Sequence, residues 1–108
     1  MLKTFLIPPL RPVPSRQQTE IGARTWFVSG HVQGVGFRWF VTRRAGEIGV
    51  SGWVRNEDDG RVQVYAVGNT DQLDRLAAFL HQGPPHAHVR GVEQQESPVQ
   101  QLNSFQSR

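Results

Sequence analysis

The chain has 108 residues, enough for one domain with a single modest core. It has no cysteine, which excludes a disulfide framework and any thiolate metal site. The formal charge of +3 lies at the start. Lys3, Arg11, Arg16 and Arg24 face only Glu20, whereas residues 25–108 hold eight basic and eight acidic side chains. A neutral folded part is a poor general binder of phosphate backbones, although a local basic site stays open.

Residues 1–22 carry Pro8, Pro9, Pro12 and Pro14 and then a polar stretch, without sustained periodicity. They read as a flexible proline-rich arm, and residues 23–108 as the folded domain. The prolines interrupt the apolar start before it reaches the length of a signal-peptide core, and no run is long enough for a membrane span. The expectation is a cytoplasmic protein that needs no membrane and no nucleic acid.

From Arg24 the pattern sharpens. "RTWFVSG" is rich in aromatic and β-branched residues, with Trp26 and Val28 on one face, and predicts a strand. After a glycine-rich loop, Phe37, Val41, Ala45 and Ile48 recur at helical spacing, and Gly49 supplies a stop. "VSGWVRN" and "RVQVYAV" predict two strands joined by the "EDDG" turn. Asn69 and Gln72 stand in capping-box relation before a second helix whose buried stripe is Leu73, Leu76, Ala77 and Leu80. Gly83 and two prolines end it. "AHVRGVEQQ" predicts a fourth strand, with His86 and His88 on one side of it, and "LNSFQSR" allows a short fifth. The order strand, helix, strand, strand, helix, strand is the ferredoxin-like α+β plan: an antiparallel sheet with both helices on one face.

The loop "GHVQGVGFR", Gly30 to Arg38, lies between the first strand and the first helix. Glycines allow left-handed dihedrals and a close approach to the main chain. The first turn of a helix offers unpaired N–H groups and a partial positive charge. Together these suit a phosphate. Arg38 sits where the helix dipole disfavours a cation; a bound anion would reverse that penalty, and a guanidinium grips two oxygens at once. The spacing fits neither a dinucleotide fingerprint, since Trp39 stands where the third glycine belongs, nor a Walker loop. Taken alone, the loop leaves two readings open: an anion cradle, or a tight turn with Arg38 in solvent. Asn56, just before the turn, is equally open between a turn residue and a functional one.

"GHVQGVGFR" resembles the signature of the acylphosphatase family, G-x-V-Q-G-V-x-F-R. "GVSGWVRNEDDGRVQVYAVG", Gly49 to Gly68, is similar to the family's second signature, and "GPPHAHV" to the segment after its second helix. The resemblance spans about Trp26 to Phe105. It implies an α/β sandwich enzyme that hydrolyses the carboxyl–phosphate bond of small-molecule acyl phosphates by in-line attack of water, without metal or cofactor. It further implies that the loop His31, Val32, Gln33, Gly34, Val35, Gly36, Phe37 and Arg38 holds the phosphate, that Arg38 is the catalytic arginine, and that Asn56 positions the water. Inorganic phosphate or sulfate would then inhibit, and the expected form is a monomer. Where the family tends to have an apolar residue two places after the last aromatic, Phe105 is followed by Gln106 and Ser107.

Two other functions compete. RNA-recognition modules share the strand and helix order, but their aromatic platform lies on the third strand, and "RVQVYAV" offers only Tyr65. A non-catalytic acylphosphatase-like regulatory domain, of the kind found in hydrogenase maturation factors, would stand beside zinc motifs and long extensions. A standalone enzyme is the favoured reading.

Overall fold

The computed structural model describes residues 20–108. Seven elements follow in order: β1 (Ile21–His31), α1 (Phe37–Ile48), β2 (Ser51–Asn56), β3 (Val62–Asn69), α2 (Thr70–Gln82), β4 (His88–Ser97) and β5 (Phe105–Ser107). The sheet order is β4-β1-β3-β2-β5. The first four strands pair antiparallel as the sequence predicts. β5 does form, and it runs parallel to β2, so the complete sheet is mixed.

One face of the sheet carries the main core. Period-two residues Val62, Val64 and Ala66 of β3 join Trp26 and Val28 of β1 there. Phe37, Phe40, Val41, Ala45 and Ile48 of α1 and Leu73, Leu76 and Leu80 of α2 pack on them. The buried indole of Trp26 keeps its N–H satisfied by Gln94 Oε1 at 2.7 Å. The predicted capping box is present: Asn69 Oδ1 accepts from the Gln72 amide at 2.8 Å, and Gln72 Oε1 accepts from the Asn69 amide at 2.9 Å. Such a cap stabilises by about 1 kcal/mol. The Gln72 side-chain Nε2 donates to the Ile48 carbonyl at 3.3 Å, tying the start of α2 to the end of α1.

The opposite sheet face is partly covered by the chain itself. Ala23, Trp53 and Tyr65 form a second, smaller cluster with Val67 and Leu102. Tyr65 is only 3% exposed and stacks on Trp53. Its hydroxyl donates to the Pro98 carbonyl at 2.6 Å and accepts from the Gln100 amide at 2.8 Å. The segment after β4 is thereby drawn across this face, toward β5. A tyrosine so enclosed offers no surface on which a base could stack.

Two expectations need adjustment. Residues 1–19 of the expected arm lie outside the described residues, but Ile21 and Gly22 already pair with Asn69 and Gly68, so the sheet begins inside the boundary drawn at residue 22. His86 lies in the turn before β4 and does not share a strand face with His88. His88 instead sits opposite His31 across the β1–β4 pair, with ring centroids 6.4 Å apart. Gly49 ends α1 as predicted, and its N-cap is Gly36, which has no capping side chain.

Candidate active site

The loop from β1 to α1 is held at both ends by burial. Val32 is 1% exposed and Phe37 2%. Between them Gly34 (φ 73°) and Gly36 (φ 80°) take left-handed conformations that cost L-residues dearly. A β-carbon at either glycine would meet nothing within 4 Å, so conformation, and not protein crowding, is what requires glycine there. Gly30 differs. A β-carbon on it would overlap the His88 carbonyl oxygen and lie 2.8 Å from the Arg90 nitrogen. Its missing side chain serves the bulged β1–β4 pairing and not a ligand.

Gln33 fixes the loop from the side. Its Nε2 donates to the Glu57 carbonyl at 2.7 Å and to the Arg61 carbonyl at 3.0 Å. These two carbonyls flank the β2–β3 turn. The turn is braced by Asp59, whose carboxylate accepts from the Arg61 amide at 3.0 Å and from its Nε at 2.8 Å. The Arg61 amide foremost, with its guanidinium, holds this exposed carboxyl below its ordinary pKa. One side chain thus couples the glycine loop to the hairpin that carries Asn56.

A cavity of about 360 Å³ opens at this junction. The loop lines it with Val32, Gly34 and Gly36, and α1 with Phe37, Arg38, Trp39 and Thr42. Asn56 enters from the end of β2 and Ser107 from β5. Phe40 is the first helical residue whose amide finds a helical acceptor, the Gly36 carbonyl at 3.0 Å. Among the described residues, the amides of Gly34 to Trp39 have no hydrogen-bond acceptor. The first turn of α1 also contains no acidic side chain. Arg38 is exposed, and its Nη1 donates to the Arg108 carbonyl at 3.0 Å. Donors without acceptors, a helix N-terminus and a guanidinium on one cavity wall make a place for an anion.

Arg38 and Asn56 are therefore brought together. Of the remaining loop residues, Val32, Gly34, Gly36 and Phe37 line the cavity, whereas His31, Gln33 and Val35 do not. His31 ends β1 beside His88, Gln33 is the tether, and half-buried Val35 packs on the core. Ser107 and Arg108 were not singled out by the sequence. β5 places them: the Arg108 amide donates to the Val54 carbonyl at 2.8 Å, extending the parallel pairing with β2. A second cavity, of about 440 Å³, lies at the start of β1. Its cation, Arg24, is bound to Asp74 at 2.7 Å, and Glu20 and Glu96 stand in its wall, which disfavours an anion.

The acylphosphatase family pattern matches residues 24–107. The chain belongs to the acylphosphatase family. An acylphosphatase of Solibacter usitatus is 50% identical over 86 residues, covering 80% of this chain and 90% of that one. An acylphosphatase of Archaeoglobus fulgidus is 49% identical over 80 residues, covering 74% and 90%. The solved acylphosphatase of Coxiella burnetii superposes with a TM-score of 0.80 at 35% identity, covering 87% of this chain and 99% of its own. The resemblance in the two signatures is thus matched over the whole domain, and the protein is an enzyme of the acylphosphatase type. No helix among the described residues is long and apolar enough to cross a membrane.

Proposed function

We propose that the cavity between the glycine loop and the end of β2 hydrolyses small-molecule acyl phosphates, with Arg38 and Asn56 in different roles. The observation that carries this is the convergence of Arg38, Asn56 and the unpaired loop amides on one cavity. The amides and the Arg38 fork bind the phosphoryl oxygens and stabilise their charge as it redistributes. The Asn56 amide orients a water in line with the leaving carboxylate. The water oxygen forms the new bond to phosphorus, the bond to the acyl oxygen breaks, and the water's proton passes to a phosphoryl oxygen. Acyl phosphates are activated, so positioning and electrostatics suffice without a strong base.

No metal takes part in this reading. Among the described residues no three His, Asp or Glu side chains form a group that could hold an ion. Inorganic phosphate and sulfate compete for the loop, and the protein acts as a monomer in the cytoplasm. The test is release of phosphate from acetyl phosphate in excess EDTA. Turnover is expected; activity that appears only on adding a divalent cation would overturn the mechanism.

A further inference from the structure

Trp39 is out of place for a residue with no task. It follows Arg38 directly and lies off the buried stripe of α1, and it is 65% exposed. Leaving so large an apolar ring in water forgoes the burial that usually makes tryptophan worthwhile. Yet it is not left loose. The Arg43 guanidinium lies 5.3 Å from the ring centroid, and Arg43 Nε is 3.4 Å from Glu47 Oε1. Trp39, Arg43 and Glu47 are spaced by four residues, one above another along the helix, so the guanidinium lies between the indole and the carboxylate.

Trp39 lines the same cavity as Arg38 and Asn56, and most of its surface is open to solvent there. That cavity, at about 360 Å³, has the liquid volume of about a dozen waters, far more than a tetrahedral phosphoryl group needs. The phosphoryl end is accounted for by the loop and Arg38. What remains is space for the acyl part, in a lining that includes Trp39. Resting on the reading of the site given above, we infer that Trp39 is the platform for the acyl group and makes the enzyme favour flat aromatic acyl phosphates over acetyl phosphate. It acts on specificity and plays no part in bond breaking.

The test compares the parent with Trp39→Ala and Trp39→Phe. Alanine is the best helix former and no core contact is lost, so the variants fold, as circular dichroism would verify. Two ratios are read. One is kcat/KM for benzoyl phosphate over that for acetyl phosphate. The other is the affinity for benzylphosphonate over that for methylphosphonate, which are not hydrolysed. Stacking on an indole is worth roughly a tenfold factor, so both ratios should fall about tenfold in Trp39→Ala and largely recover in Trp39→Phe. Ratios in Trp39→Ala equal to the parent's would overturn the inference. If the parent released phosphate from neither acyl phosphate, the hydrolytic reading would fail, while the phosphonate ratio would still decide whether Trp39 is a platform.

Discussion

Two glycines of one loop make opposite predictions when each is replaced by alanine. At Gly36 (φ 80°, ψ 18°) the new methyl has open space, and only the left-handed conformation is costly. That penalty is about 1–2 kcal/mol, offset by a few tenths from the stiffer unfolded chain. For a domain of this size about 1 kcal/mol corresponds to a Tm loss of about 4–8 °C. At Gly30 (φ 122°) the methyl collides with the backbone of His88 and Arg90, which has no flexible side chain to move aside. The strain and the broken β1–β4 pairing together should cost about 2–6 kcal/mol. The functional readout runs the other way. Gly36 lines the anion cavity, where a methyl would compete with a bound anion, whereas Gly30 lies outside its wall. Thermal unfolding is measured with and without phosphate, because a ligand of the native state raises Tm in proportion to its affinity. Gly36→Ala should lose most of the phosphate-induced rise despite its small intrinsic cost. Gly30→Ala should be much less stable, yet what folds should keep the rise. The reverse outcome, with phosphate protection surviving at Gly36 and vanishing at Gly30, would show that the loop apex is not the anion site.

Arg38→Ala should weaken inhibition by phosphate and lower kcat by about 10²–10³, and Arg38→Lys should not rescue it, because a point charge cannot reproduce the planar fork. Asn56→Ala should lower kcat similarly while the phosphate inhibition constant stays near the parent's; a folded Asn56→Ala protein with parental turnover would return Asn56 to the role of a strand-end residue. Deleting residues 1–19 should leave Tm and activity nearly unchanged, whereas deleting 1–22 removes the Ile21–Asn69 and Gly22–Gly68 pairs and should lower Tm. Equal melting of the two truncations would show that these end pairs contribute nothing.

Elements with strong local signals were legible from the sequence. The α1 stripe, the Asn69–Gln72 box and the β2–β3 turn each depend on residues a few positions apart, and each appears where its spacing puts it. What escaped depends on contacts across the chain: a short fifth strand was allowed by the sequence, but not its parallel pairing with β2. β5 has three residues and one partly buried side chain, Phe105, so no period marks it. Its place is set by Tyr65, which anchors the preceding segment from β3, and by the free edge of β2. Ser107 and Arg108 could not be found as neighbours of Arg38 for that reason. The loop glycines look alike in the sequence, and only the approach of β4 separates Gly30 from Gly34 and Gly36. Gln33 is similarly ambiguous: a polar residue in a phosphate loop suggests a ligand contact, but the two carbonyls it holds belong to residues 57 and 61.

Arg38 is where local preference and global design disagree most. A cation in the first turn of an exposed helix costs about 0.3–1 kcal/mol against the dipole. No acidic side chain in that turn compensates, and the N-cap glycine supplies no acceptor for the free amides. The hydrogen bond to the Arg108 carbonyl is of comparable size, about 0.5–1.5 kcal/mol, but a neutral carbonyl leaves the guanidinium without a counter-charge. The same helix start therefore carries an uncompensated charge, unpaired donors and a bare glycine cap. Each is a small defect in the protein alone. All three become favourable at once when an anion enters the cavity, because it accepts from the amides, opposes the dipole and pairs with the guanidinium. A sequence that breaks local rules at one point while obeying them elsewhere marks that point as functional. Asn56 needs the opposite treatment: it breaks no rule at the end of β2, and its role rests wholly on the cavity it shares with Arg38.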